Sequence, residues 1–231
     1  MNTNREDVAY YPDTLDLTTT KADEILKTKY AYSKFLKRII DVTISTIGLI
    51  VLSPVLLIIA IFIKTGSKGK VLFKHKRIGK NGKEIYIYKF RTMVENAEDL
   101  IKQFTPEQMK EFKENFKLEN DPRITKIGKF LRKTSLDELP QLLNIIKGDL
   151  SIIGPRPVIA EELEKYGMNK ERFLSVTPGL TGYWAANGRS STTYEQRMEM
   201  ELYYVENISF KLDIKIFFKT ILSVIKKEGA I

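Results

Sequence analysis

VTISTIGLIVLSPVLLIIAIFI, from Val42 to Ile63, contains no charged residue. A bilayer's hydrocarbon core takes a helix of about 20 predominantly apolar residues, so this segment has the length and composition of a membrane helix. It lies well inside the chain and no small-residue cleavage site follows, so it does not read as a cleaved signal peptide. Near its middle stands Ser53-Pro54. Proline lacks a backbone N–H and crowds the preceding turn, which predicts a kink or break there, and the serine before it can take up a freed carbonyl. Lys34, Lys37 and Arg38 precede the segment, while Lys64, Lys68, Lys70, Lys74, Lys76 and Arg77 follow it. A spanning helix concentrates Lys and Arg on its cytoplasmic side. Basic residues at both ends predict a re-entrant helix-break-helix that dips into the membrane and returns, in preference to a Pro-kinked span.

Working outward, residues 1–30 read as a polar tail with a Thr18–Thr20 run and a short helix near Lys21–Tyr30. Residues 31–70 hold the membrane helix and its flanks, and residues 71–231 are expected to form one domain on the cytoplasmic face, where any catalytic site would lie. Two β-prone runs on either side of Asn81-Gly82 predict a hairpin. Leu100, Phe104, Met109, Phe112 and Phe116 recur at roughly helical spacing, predicting one or two amphipathic helices broken near Thr105-Pro106. LDIKIFFKTILSVIKK, from Leu212 to Lys227, sets lysines beside large apolar residues, as an interfacial helix requires. The fold class expected is α+β and mostly helical, with a re-entrant membrane element, amphipathic interfacial helices and one small β-hairpin.

Composition narrows the chemistry. The 231 residues carry 38 Lys+Arg against 29 Asp+Glu, a net charge of +9 that suits anionic lipid, phosphorylated substrates or nucleic acid. With no cysteine, disulfides, thiolate catalysis and Cys-ligated zinc are excluded. The single histidine, His75, has no evident partner and receives no role. A bound metal would be a hard ion on carboxylate and phosphate oxygens, which favours Mg²⁺.

The densest polar stretch is DPRITKIGKFLRKTSLDELPQLLNIIKGDLSIIGPRP, Asp121 to Pro157. A helix over Leu136–Asn144 must begin near Ser135–Asp137, because Pro140 fits only its first turn. Asp137 and Glu138 then sit at the helix's positive end, with Arg132 and Lys133 just upstream. Such a carboxylate pair can attack phosphorus or hold Mg²⁺ while arginines neutralise phosphate oxygens. The same Ser135-Leu136-Asp137-Glu138 also fits a capping box, which would make Glu138 only a helix stabiliser. Gly154-Pro155-Arg156-Pro157 is a stiff turn that holds out Arg156. PGLTG, Pro178 to Gly182, followed by Asn187-Gly188-Arg189, either wraps a nucleotide or is a turn-rich connection. Tyr183 and Trp184 either pack or stack on a base. Lys89 and Arg91 leave the end of a β-prone run.

Taken together, KRIIDVTISTIGLIVLSPVLLIIAI, IYKFRTM, ITKIGKFLRKTSLDELPQLLNIIKGDLSIIGPRP, VTPGLTGYWAANGRS and YYVENISFKLDIKI resemble the bacterial sugar transferases, the small monotopic phosphoglycosyl transferases. The resemblance runs from about Ser33 to Val224 with its motifs in order. It implies transfer of a sugar-1-phosphate from a UDP-sugar to undecaprenyl phosphate, with release of UMP, as the first membrane step of exopolysaccharide, capsule or other glycan assembly. It implies an Asp137 nucleophile that also binds Mg²⁺, a supporting Glu138, and phosphate contacts from Lys89, Arg91, Arg132, Arg156 and Arg189. Ser53-Pro54 corresponds to the family's re-entrant break. The place implied is the inner leaflet of the bacterial cytoplasmic membrane, among membrane lipids and downstream glycosyltransferases. His75 stands where glutamine is common, and Tyr183-Trp184-Ala185-Ala186 departs from the family wording. No nucleic-acid motif supports a nucleic-acid partner. A non-enzymatic scaffold would bind lipid through charge and be indifferent to Asp137. No residue singles out the sugar.

Overall fold

The computed structural model describes residues 32–115, 118, 121–188 and 192–225. The expectations for the tail and its short helix therefore fall outside the described residues. A π-helical turn, Tyr32–Leu36, leads into the longest element, helix α1, Lys37–Gly66. A hairpin follows, β1 (Leu72–Ile78) and β2 (Glu84–Phe90), paired antiparallel with Leu72 opposite Phe90 and Ile78 opposite Glu84. Asn81 and Gly82 make its turn with φ of 56° and 77°, the left-handed geometry that Asn-Gly tolerates best. Next come α2 (Ala97–Ile101) and α3 (Pro106–Asn115), separated at Thr105-Pro106 as expected. Phe104 of the connection and Phe112 of α3 both lie against the Arg123 guanidinium, at 5.2 and 5.0 Å.

The remainder is α4 (Lys126–Thr134), a 3₁₀ turn at Leu136–Glu138, α5 (Gln141–Lys147), β3 (Ser151–Ile153), α6 (Ala160–Glu164), α7 (Lys170–Leu174), β4 (Gly179–Thr181), α8 (Tyr183–Asn187), α9 (Tyr194–Asn207) and α10 (Phe210–Ile225). β3 and β4 pair in parallel, Ser151 with Gly179 and Ile153 with Thr181. The fold is thus mostly helical with few short strands, and α10 is the amphipathic C-terminal helix. Phe210, Ile214, Phe218, Ile221 and Leu222 are exposed along α10.

α1 runs through Ser53-Pro54 as one helical element, where two elements separated by a break were expected. The physical reason lies at one carbonyl. Pro54 has no N–H to give to Ile50, and the Ser53 hydroxyl donates to that same Ile50 carbonyl at 2.8 Å. α1 is long and apolar enough to cross a membrane, and only 11% of its most apolar stretch is buried. Ile39, Ile50, Val51, Leu57 and Phe62 all stand exposed, so this is not the core helix of a globular domain.

A single stripe of α1 touches the rest of the chain. Its buried positions are Lys37, Asp41, Ser45, Ile59 and Ile63. At the start, Lys37 Nζ meets Asp213 Oδ2 of α10 at 2.5 Å, with both side chains less than a tenth exposed. Tyr32 and Tyr204 donate to the same carboxylate at 2.6 and 2.8 Å. Arg38 donates to the Ile145 and Ile146 carbonyls at the end of α5, where Ile145 also accepts the Gly148 N–H at 3.0 Å. Asp41 accepts the Ile152 N–H of β3 at 3.0 Å. At the far end, Ile59 and Ile63 form a cluster with Phe90 and Leu131, joined by Leu136.

Removing one partner of a buried ion pair leaves the other charge dry, which costs about 3–5 kcal/mol, whereas an exposed pair is worth at most about 1. Asp213→Ala should therefore lower unfolding stability by about 3–5 kcal/mol in a denaturant titration in detergent. Glu84→Ala, which breaks the exposed Lys76–Glu84 pair, should leave the same titration essentially unchanged.

Candidate active site

The hairpin's period of two sorts its side chains by face. His75 and Arg77 share one face of β1 and stand opposite Ile87 and Ile85 of β2. His75, Arg77, Ile87 and Lys89 all line one cleft of about 520 Å³ that opens to solvent. Its other walls come from Glu138 and Gln141, from Arg156-Pro157, from Gly179 to Gly182, from Trp184 and Ala185, and from Glu201.

Asn144 fixes the hairpin against α5. It is fully buried, accepting the Tyr88 N–H at 2.9 Å and donating to the Tyr86 carbonyl at 2.7 Å. That two-point clamp sets Lys89 beside the 3₁₀ turn, where its ammonium meets Glu138 Oε1 at 2.6 Å. Ser135 ends α4 in the left-handed region, φ 55°, and this reversal leads into the 3₁₀ turn in which Leu136 packs on the Ile59–Ile63 cluster and Asp137 is buried. Its side chain makes no cap bond and Glu138 is bound to Lys89, so the capping-box reading is corrected. The expected helix over Leu136–Asn144 is likewise corrected to a 3₁₀ turn followed by α5, with Pro140 just before Gln141.

Asp137 is nearly buried, 9% exposed. Burial raises its pKa to about 6; Glu138 pushes the same way, while Lys89 and Arg132 oppose the rise. Among the described residues it forms no ion pair of its own. Arg132 lies close enough to act on it electrostatically and is itself held by the Thr92 hydroxyl at 2.9 Å. One carboxylate is thus neutralised by a lysine, and its neighbour is left with cations nearby but uncommitted.

Gly154, Gly179 and Gly182 are required by packing. A Cβ on Gly179 would stand 2.1 Å from the Gly154 nitrogen, and one on Gly182 would stand 2.1 Å from the Gly154 carbonyl oxygen. The PGLTG loop is therefore glycine-rich because two backbones cross there, and the crossing also forms the cleft wall. Pro155 and Pro157 are buried while Arg156 between them is exposed, as the sequence predicts. Its N–H donates to Glu201 Oε1 at 3.1 Å, and its guanidinium lies 5.9 Å from the Trp184 ring.

The cleft thus collects Lys89, Glu138 and Arg156, with Asp137 and Arg132 adjoining. Arg91 goes elsewhere. It donates to the carbonyls of Ile63, Ser67 and Lys68 and to the Ser67 hydroxyl, closing the end of α1. Arg189 lies outside the described residues.

Sequence reasoning missed Arg77, Arg197 and Glu201 and gave His75 no role. The hairpin alternation could have found Arg77, since it shares a face with His75 and, across the turn, Lys89. Arg77 has its pKa lowered to about 10 by burial and by Arg156, and His75 is lowered to about 4, mainly by burial, so it is neutral at neutral pH. Arg197 lies 4.8 Å from the Trp184 ring.

A cationic cleft, two carboxylates in a tight turn and an exposed apolar helix thus stand together in one domain. The family model for bacterial sugar transferases matches residues 32–227, and the chain belongs to that family. It is 43% identical over 201 residues to the undecaprenyl-phosphate galactose phosphotransferase of Salmonella typhimurium, covering 86% of this chain and 42% of that protein. It is also 43% identical to the exopolysaccharide production protein ExoY of Rhizobium meliloti, over 84% of this chain and 87% of that one. The UDP-glucose:undecaprenyl-phosphate glucose-1-phosphate transferase of Escherichia coli is 39% identical, over 82% and 40% of the two chains. The chain thus spans less than half the length of several curated relatives and nearly the whole of others.

Arg91 and Lys89 stand two residues apart with different duties. Arg91 makes part-buried bonds to Ile63 and Ser67 and an exposed one to Lys68, so Arg91→Ala should lower unfolding stability by about 1–2 kcal/mol, the net worth of a few such bonds. Lys89→Ala, which breaks a partly exposed pair, should lower it by less than about 1 kcal/mol in the same titration.

Proposed function

We propose that this chain transfers a sugar-1-phosphate from a UDP-sugar to undecaprenyl phosphate, releasing UMP, at the start of exopolysaccharide, capsule or related glycan assembly. The observation that carries the reading is the position of Asp137. It is nearly buried and unpaired in a turn whose preceding residue, Leu136, packs on Ile59 and Ile63 of α1. Asp137 therefore stands between Leu136, which packs on the element that would meet the lipid, and Glu138, which lines the cationic cleft. Relatives named for galactose and glucose phosphate transfer to undecaprenyl phosphate support the same chemistry.

In this mechanism an Asp137 oxygen attacks the donor's β-phosphorus. A P–O bond forms, the bond to the bridging oxygen breaks, and UMP leaves with that oxygen and its electron pair. An oxygen of the lipid phosphate then attacks the same phosphorus and frees the Asp137 carboxylate, leaving a sugar diphosphate lipid. Splitting one displacement into two lets a single site serve a soluble donor and a lipid acceptor in turn. Lys89, Arg132 and Arg156 neutralise the phosphate oxygens, and Glu138, held by Lys89, supports the dyad and the incoming acceptor phosphate. Arg189 is a further candidate for that task.

The residues fit a magnesium ion. Mg²⁺ is commonly held by one or two carboxylates together with substrate phosphates and water, and Asp137 offers a carboxylate without an ion-pair partner. Asp137 would hold it, and its charge would offset the negative charge gathered at the phosphates.

Attachment at both ends of α1 supports a monotopic, re-entrant placement in the cytoplasmic leaflet. Asp41 is tied to β3 and Ile63 to Phe90, so the ends of the apolar stretch belong to one domain. Single cysteines at Asn2 and Lys70 should be labelled by a membrane-impermeant maleimide from the same face. Labelling from opposite faces would contradict the re-entrant path.

UMP release from a UDP-sugar panel in nanodiscs, with undecaprenyl phosphate and Mg²⁺, should pick out a donor. Asp137→Asn should reduce it by at least about a thousandfold, as loss of a nucleophile does. EDTA should abolish it. Only the ionised aspartate attacks, so kcat/KM should fall at acid pH, and with Mg²⁺ bound this limb should lie below the metal-free value of about 6. Lys89 lowers the Asp137 pKa, so Lys89→Gln should move this acid limb to higher pH.

A further inference from the structure

We infer that Glu201 reads a hydroxyl of the donor's sugar at the floor of the cleft; the inference rests on the transfer reaction proposed above. Glu201 is 1% exposed and lines the cleft. Its two oxygens have different fates. Oε1 accepts the Arg156 N–H, whereas Oε2 is buried with no hydrogen-bond partner. Oε2 lies 3.9 Å from where a Cβ on Gly182 would stand, which places it beside another cleft-lining residue. A buried acceptor without a donor is costly, and a ligand that brings one recovers that cost.

The chemistry of the missing donor can be narrowed. Phosphate is excluded because it would bring negative charge to a carboxylate, and Lys89, Arg132 and Arg156 serve that part of the donor. Uracil offers one N–H between two carbonyl oxygens, both of which would face the carboxylate unfavourably. A hexose offers hydroxyls that donate without such neighbours. Trp184, in the same wall, gives the C–H face of a sugar ring an apolar surface. Trp184 is itself fixed, its Nε1–H donating to Thr192 at 2.7 Å with the Arg197 guanidinium 4.8 Å from the ring. Arg197 sits one helical turn before Glu201 on α9, so both side chains lie on one face of that helix.

Glu201→Gln is the informative variant. It keeps an oxygen for the Arg156 N–H and replaces the open acceptor by an amide N–H₂. Binding of UDP and of the preferred UDP-sugar would be measured on wild type and variant by calorimetry in detergent. The variant should lose at least about tenfold in affinity for the UDP-sugar and less than about twofold for UDP, since hydroxyl-reading sites discriminate through unpaired polar groups. Equal weakening of both ligands would assign Glu201 to the nucleotide and overturn the inference, as would unchanged affinity for both.

Mono-deoxy analogues of the donor tested on wild type keep the question open to refutation if the variant fails to fold. One analogue should lose at least about tenfold in affinity. If all of them bind as well as the parent, no hydroxyl is read and the inference fails. Wild-type turnover separates the two failures. A chain that turns over a UDP-sugar but binds every deoxy analogue normally loses this inference alone, while a chain that turns over none loses the functional reading with it.

Discussion

The Asp213 carboxylate holds three side chains from three segments: the Lys37 ammonium at the head of α1, the Tyr32 hydroxyl before it, and the Tyr204 hydroxyl of α9. In the interior a lone carboxylate or ammonium is expensive, and each needs the other to stay. The node therefore sets the head of the apolar helix against the two C-terminal helices. From there the helix is fixed by Arg38 on the end of α5 and Asp41 on β3, and its far end is closed by Arg91 from just beyond β2. An apolar helix held along one stripe by a polar domain brings that domain to the membrane surface. The turn carrying Asp137 packs through Leu136 on the far-end cluster of Ile59 and Ile63.

The cleft shows how close-packed backbone and electrostatics divide the work. Crossing of the Gly154 and Gly179–Gly182 segments leaves no room for side chains, which makes that wall rigid. Arg156 projects from it between two buried prolines, so little conformational entropy remains to be lost when it meets a ligand. Around it the charges are graded. Glu138 is paired with Lys89, Asp137 is unpaired and raised to about 6, and Glu201 is raised to about 7 by burial. Carboxylates of one chemical type are thereby given different protonation behaviour by their surroundings, as sites of acid, base and nucleophilic chemistry require.

Much of this was legible in the sequence because the physics is local. A run of apolar residues, an Asn-Gly turn, a Thr-Pro interruption and a Pro-Arg-Pro loop each act over a few residues. The re-use of the Ile50 carbonyl by Ser53 was foreseeable for the same reason, although the helix continues there instead of dividing. What could not be read depends on distant partners. Arg91 looks like Lys89 in sequence and differs only because the end of α1 lies within its reach. Ser135 looked like a cap until the left-handed turn showed it ending α4. Glu201 is one of several acidic residues in α9, and only the approach of Arg156 and Gly182 distinguishes it.

The proposed attack of Asp137 on the donor is tested most directly by intact-protein mass spectrometry after brief incubation with the preferred UDP-sugar and Mg²⁺, without lipid acceptor. The account predicts a mass gain of one sugar phosphate, mapped by peptide analysis to Asp137, absent from Asp137→Asn and discharged when undecaprenyl phosphate is added. UMP formation that requires the lipid acceptor, with no covalent adduct at any time point, would contradict it and indicate direct transfer between the two substrates.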